Sequence, residues 1–198
     1  MYLTKITVDS MTLQHLRIFD AYRRKQELYK AFTPVDENRP FLFRLTEKNT
    51  GTQVLVLSDK QPKVLPFGTW ETKIVSDTFY KSSRYVFDVE ANPTVKHACF
   101  DDKGNKKDQG KRVGLKPEAY EGWFLRKLKD AGCEVKSVSV TPLGPKVCHH
   151  KGQTVTHASA QFRGVLHVKD SGAFLKAATQ GIGTGRAFGF GMMLLKQA

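Results

Sequence analysis

Near its C-terminus the chain runs Gln180-Gly181-Ile182-Gly183-Thr184-Gly185-Arg186-Ala187-Phe188-Gly189-Phe190-Gly191, then Met192-Met193-Leu194-Leu195. Five glycines at alternate positions leave a backbone free to adopt positive φ and to approach a neighbour closely. The residues before it predict a short helix over 171–180, with Asp170 or Ser171 as N-cap and Gly181 past its end. Those after it predict a closing strand over 189–196. A loop placed between a helix and a final strand has the reverse order of a dinucleotide fingerprint. Its spacing also fails G-x-G-x-x-G, because the sixth position is Arg186 or Phe188 in the two usable registers. No G-K-[ST] follows a glycine run, which removes the P-loop. Two readings remain: a cradle of N–H groups for a phosphate, led by Gly183, Gly185 and Arg186, or a turn that lets helix and strand pack closely.

Charge favours a polyanion. The 198 residues carry 32 Lys+Arg against 19 Asp+Glu, a formal net charge of +13. Such an excess attracts nucleic acid through phosphate neutralisation and counterion release. No basic amphipathic helix has the apolar face needed at a membrane surface, and no apolar run is long enough to span one. Cys99, Cys133 and Cys148 are odd in number and widely spaced, so no disulfide framework is expected and a cytoplasmic location fits.

The order of predicted elements sets the fold. Residues 2–8 alternate as a strand, Asp9-Ser10 signals a turn and cap, and a broken helical periodicity points to a helix over about 20–32, stopped by Pro34. Strands at 41–45 and 53–58 follow, joined around Asn49-Thr50-Gly51, and then a strand-like run from Trp70 to Phe79. The second half repeats the plan. A strand at 85–90 ends at Ala91-Asn92-Pro93, and a helix at 117–131 has Tyr120, Phe124, Leu125 and Leu128 on one face. A strand at 134–140, a hairpin over 146–156, a strand at 162–168, the helix at 171–180 and the closing strand complete it. The fold class expected is α+β, two tandem ferredoxin-like βαββαβ domains over 1–82 and 83–198. The second helix of the first domain is hard to see.

These residues resemble a known family, the CRISPR RNA-processing endoribonucleases of type I-E systems, the CasE subunits of Cascade. The resemblance covers nearly the whole chain. It rests on the opening Met1-Tyr2-Leu3-Thr4-Lys5, Ala91-Asn92-Pro93, Gly110-Lys111-Arg112-Val113, Trp123-Phe124-Leu125-Arg126-Lys127-Leu128, Phe162-Arg163-Gly164-Val165-Leu166 and the glycine loop. It implies recognition of a CRISPR repeat stem-loop and a cut at the 3′ base of the stem, with no metal or other cofactor. The 2′-hydroxyl attacks, leaving a 2′,3′-cyclic phosphate. The product stays bound in Cascade, where the backbone subunit at the crRNA 3′ end is the expected neighbour.

The family carries a tyrosine on its first helix and a histidine three residues on; the matching positions here are Tyr22 and Lys25. They share one helix face. A lysine, with a reference pKa of about 10.4, is protonated near neutrality and suits charge stabilisation or proton donation. His15 is the reserve candidate, on the same face only if the helix is continuous. RNA contacts are expected from Arg23, Arg24, Lys111, Arg112, His149, His150, Lys151, Arg163, Gly183, Gly185 and Arg186, because A-form RNA is read by shape, phosphate and 2′-OH contacts. Cys148, His149, His150 and His157 could suggest a metal, but adjacent strand residues point to opposite faces, so no metal site is expected. A non-catalytic subunit that binds the crRNA hairpin is the alternative to a nuclease. A nucleotide-binding enzyme is the third possibility, and the failed phosphate motifs argue against it.

Overall fold

The computed structural model describes residues 1–16, 21–32, 41–99, 105, 110–150 and 153–198. In the first half, β1 (Tyr2–Asp9) leads into α1 (Ser10–His15) and α2 (Ala21–Tyr29), then β2 (Phe41–Lys48), β3 (Gly51–Ser58) and β4 (Thr69–Ile74). All pairings are antiparallel, in the order β2-β3-β1-β4. Alternation in β1 buries Thr4, Ile6 and Val8 on one face. Ile6 and Val8 pack with Phe41, Phe43, Val54 and Val56 against Leu28, Ala31 and Phe32.

The second half has β5 (Arg84–Ala91), β6 (Thr94–His97), β7 (Lys111–Gly114), α3 (Tyr120–Asp130), β8 (Cys133–Pro142), β9 (Lys146–His150), β10 (Gln153–His157), β11 (Ala160–Val168), α4 (Ser171–Gln180) and β12 (Met193–Gln197). Its sheet runs β12-β5-β11-β8, with β6-β7 and β9-β10 as separate hairpins. Numbered within each half, both sheets have strand order 4-1-3-2, the ferredoxin-like arrangement. The expected fold class is therefore present. The second core is aromatic: Phe124 stacks on Phe162 at 4.1 Å, and Tyr85 on Phe174 at 4.9 Å. Phe124→Ala removes a fully buried ring and is expected to cost about 3–5 kcal/mol, read as a lower denaturant midpoint.

Some elements depart from the sequence reading. The helix expected over about 20–32 is α2, and a further short helix, α1, precedes it and closes at Leu16. The second helix of the first domain is absent: residues 59–68 form none, and Pro62 and Pro66 each remove a helix N–H. The run from Trp70 to Phe79 is a strand only to Ile74. Val75 then donates to the Met1 carbonyl, and Ser76 caps a 3-10 turn over Asp77–Lys81. The closing strand begins at Met193, because 189–192 belongs to the glycine loop. The β6-β7 hairpin was not foreseen.

The two sheets meet across Leu42 and Leu57 of the first half and Met192 of the second. One charged tie reinforces this seam. Arg44, 8 % exposed, donates to Asp88 Oδ1 at 2.6 Å, while Arg163 Nε and Gln161 Nε2 donate to the same carboxylate at 2.8 and 3.1 Å. Burial would raise the Asp88 pKa, but hydrogen bonds from Arg163, Arg44 and Gln161 outweigh it and hold the carboxyl below 3.8. A depressed folded-state pKa adds stability above the unfolded value, and that stability is lost as pH falls through the folded one. The melting temperature should therefore fall on acidification below about pH 4. Asp88→Asn should remove part of that dependence, and a variant with the parent's full acid sensitivity would show the tie to be inert.

Candidate nucleic-acid interface

The glycine loop folds back on itself and on β5. Ile182 N–H donates to the Gly191 carbonyl and Gly191 N–H to the Glu90 carbonyl, both at 2.8 Å, and Asn92 bridges to Thr184. A 3-10 turn, Arg186–Phe188, sits between Gly185 and Gly189, both left-handed. Packing accounts for these glycines directly. A Cβ on Gly185 would lie 2.8 Å from the Phe190 ring, and one on Gly183 would lie 3.0 Å from Trp123. Close packing, one of the two readings of the loop, is thus present in the structure.

The 186–188 turn lies alongside α2, and so does β9 of the 146–157 hairpin. The helix carrying Tyr22 and Lys25 is therefore flanked by two segments from the other half of the chain. Lys25 is half-buried, its Nζ 5.2 Å from the Tyr29 ring centroid, a cation–π placement that fixes a positive charge on this helix. The Tyr22 backbone lies on α2, but its side chain is outside the described residues. His15 is exposed at the end of α1, on a different helix from Lys25.

Salt bridges hold this junction. Arg24 pairs with Glu47 of β2, and Thr52 Oγ1 donates to Glu47 Oε2 at 2.6 Å. Burial works against the Glu47 carboxylate. Hydrogen bonds from Arg24 and Thr52, with the charges of Arg24 and Lys146, still hold its pKa below the ordinary value. Lys146, at the root of the hairpin, pairs with Glu90, which is 7 % exposed and also accepts from Ser159 Oγ at 3.1 Å. Lys146 Nζ also lies 5.5 Å from the Phe190 ring centroid. Apart from Thr52 and Glu47, these partners are 23 to 69 positions apart in sequence, and no local motif marked Glu47, Glu90 or Lys146.

The other expected RNA ligands are spread along this side and beyond it. Arg23 and Arg112 are exposed, on α2 and β7. Arg186 Nη1 donates to the Gln180 carbonyl at 2.6 Å, closing the loop at its start. Arg163 stands on the second sheet with its Nε on Asp88, and Arg24 is engaged by Glu47, so both side chains have structural partners. Lys111, His149 and His150 have backbones in β7 and β9, but their side chains, and the whole of Lys151, lie outside the described residues. Two polar groups beside the loop were not among the expected RNA ligands. Asn92, 3 % exposed, places Nδ2 3.1 Å from His157 Nδ1, and the His157 ring lies 4.5 Å from that of Phe188. Burial pushes the His157 pKa down. Asn92 was visible only as part of a strand-ending tripeptide.

Tandem ferredoxin-like sheets with a basic helix, a glycine loop and a hairpin gathered at their junction define a narrow structural class. The chain belongs to the CRISPR-associated protein family, whose model matches residues 1–197. It is 30% identical over 204 residues to the CRISPR system Cascade subunit CasE of Escherichia coli K12, covering 98% of each. The crystal structure of Cas6e from Escherichia coli K-12 superposes over all of both chains with a TM-score of 0.75 at 30% identity. Thermus thermophilus Cse3, bound to an RNA representing a pre-cleavage complex, shares the fold at a TM-score of 0.80 and 24% identity, covering 98% of each chain.

Proposed function

We propose that this chain is a CRISPR RNA-processing endoribonuclease. It binds the repeat stem-loop and cleaves pre-crRNA at the 3′ base of the stem without metal. It then holds the product as a Cascade subunit beside the backbone subunit. The observation that carries the reading is the setting of Lys25. Its helix lies between the 186–188 turn and the hairpin strand β9, in a chain whose family includes Cascade subunit CasE.

The 2′-hydroxyl upstream of the scissile bond attacks the phosphorus in line and forms a 2′,3′-cyclic phosphate. The 5′-oxygen departs and takes a proton. Lys25 stabilises the charged phosphorane or donates that proton, and Tyr22 positions the ribose or phosphate. His15 is the reserve acid–base group. Arg23, Arg112, Arg186 and the hairpin contact phosphates and groove edges of the stem.

The test is incubation with the repeat RNA of the same locus, with and without EDTA. Cutting at the stem base that is unaffected by EDTA supports the reading. Tight hairpin binding without any cut would favour the non-catalytic subunit instead, the reading to which the lysine in place of the family histidine points. Affinity should fall steeply with salt, and Arg186→Ala should lower the salt slope by about one unit. Equal affinity for an unstructured strand would count against this surface.

A further inference from the structure

A basic groove lies beside the glycine loop. It is a cavity of about 750 Å³ between α3, β6 and the loop, and among the described residues six cations line it: Lys96, Arg112, Arg126, Lys127, Lys129 and Arg186. Among the described residues the single carboxylate lining it is Asp130, 3.7 Å from Lys127 Nζ. Arg126 and Lys129 are exposed on α3, which also carries the buried Trp123, Phe124 and Leu128, and Trp123 lines the groove beside them. Trp123 also donates to the Thr94 carbonyl at 3.0 Å, which fixes the start of β6 to the helix. Such a cluster costs folding energy through self-repulsion, and a polyanion relieves it.

The groove opens at Arg112 and the 183–186 stretch into a second cavity, of about 490 Å³. Its character is different. Its walls include Asn92, His157, Thr94, Thr184 and Phe188. Among the described residues, Asn92 Oδ1 and His157 Nε2, on two residues of this wall, are buried with no hydrogen-bond partner, a costly arrangement in a protein interior. Thr94 and Thr184 share a hydrogen bond at 3.0 Å. Neutral donors and acceptors beside an aromatic ring suit a base edge, and the volume is within the range of small-ligand sites. The cations outside suit the backbone. This alternation of charged track and base-accepting niche is how single strands are held.

We infer that the groove carries an unpaired strand of RNA flanking the repeat stem, its phosphates on the α3 and β6 cations and one base in the Asn92–His157 cavity. The inference rests on the RNA-binding reading above and assigns Lys96, Arg126, Lys127, Lys129, Asn92 and His157, which that reading does not use. The stem occupies the α2 side and the flank the α3 side, with Arg112, Arg186 and the loop at the boundary between them.

The experiment compares three repeat RNAs made uncleavable by a 2′-deoxy substitution at the cut: the hairpin alone, the hairpin with a 5′ unpaired flank, and the hairpin with a 3′ unpaired flank. Each is titrated against the parent chain and the Arg126→Glu/Lys129→Glu variant, with matched thermal melts. Affinity for one flanked RNA should fall roughly tenfold or more, and its salt slope by about 1.4, at about 0.7 per single-strand phosphate contact. Affinity for the bare hairpin should stay unchanged. The flank that responds identifies the strand. Equal loss on the bare hairpin would place the stem in the groove, and no loss on any RNA would leave the groove without this role; either overturns the inference. A scan of single abasic sites along the responding flank should concentrate its loss at one nucleotide, and uniform loss would overturn the base site. Bare-hairpin binding by the parent tests the underlying RNA-binding reading separately.

Discussion

Lys25→Ala should slow cleavage of the repeat by about a hundredfold or more while hairpin affinity changes little beyond one lost charge. In-line attack creates charge on the phosphorane and on the departing 5′-oxygen. A protonated amine at the α2 junction can meet either, and alanine can meet neither. The position of Nζ over the Tyr29 ring supports a fixed charge rather than a waving one. Tyr22→Phe should cost less than Tyr22→Ala if the ring positions RNA. Single-turnover rates at saturating protein separate chemistry from binding. Parent-rate cutting by Lys25→Ala, together with a slow His15→Ala, would move the acid–base role to His15.

Gly191→Ala should be one of the most damaging single methyls among the described residues. At φ +83 its Cβ would stand 2.2 Å from the Ile182 carbonyl oxygen. The obstacle is backbone, so no side-chain rotation relieves it. Left-handed strain of about 1–3 kcal/mol adds to an overpacking cost of similar size. A loss of roughly 4 kcal/mol corresponds to a fall in melting temperature of about 8–16 °C for a chain of this length. Gly191 also ties the loop to β5 through the Glu90 carbonyl, so the 186–188 turn beside α2 should shift with it. An unchanged melt would mean that the loop does not close on itself in this way.

Much of the fold was legible because its signals are local. Phe124 and Leu128 repeat on one face of α3, Asp170 accepts from Gly172 and Ala173 N–H at the start of α4, and Gly181 closes that helix at φ +80. Alternation in β1 and β3 is plain in the sequence. What escaped was encoded at long range or without periodicity. Thr94-Val95-Lys96-His97 and Lys111-Arg112-Val113-Gly114 are too short and too charged to read as strands, and a polar stretch separates them. Only their mutual pairing defines them. Trp70 to Phe79 was read as one strand because its composition is β-like, whereas Ser76 starts a turn there.

The candidate site was legible only in outline. The helix, the glycine loop and the hairpin were each visible, and their convergence was not, because tertiary folding brings the 186–188 turn to α2. Arg24 and Arg163 show the limit most clearly. A basic residue in a basic chain reads as a phosphate ligand, yet each holds a carboxylate from another element. The basic groove beside α3 was hidden for a related reason: Arg126, Lys127 and Lys129 look like the solvated face of an amphipathic helix until β6, β7 and the loop are placed opposite them.

The most direct test of the account is end-group analysis of single-turnover cleavage in EDTA, once the cut in the repeat is mapped. The parent chain should release a 2′,3′-cyclic phosphate and a 5′-hydroxyl at the 3′ base of the stem. A single 2′-deoxy substitution upstream of that bond should abolish cutting without weakening binding. A 3′-hydroxyl product, or a deoxy substrate cut at the parent rate, would contradict attack by the 2′-hydroxyl and the role given to Lys25.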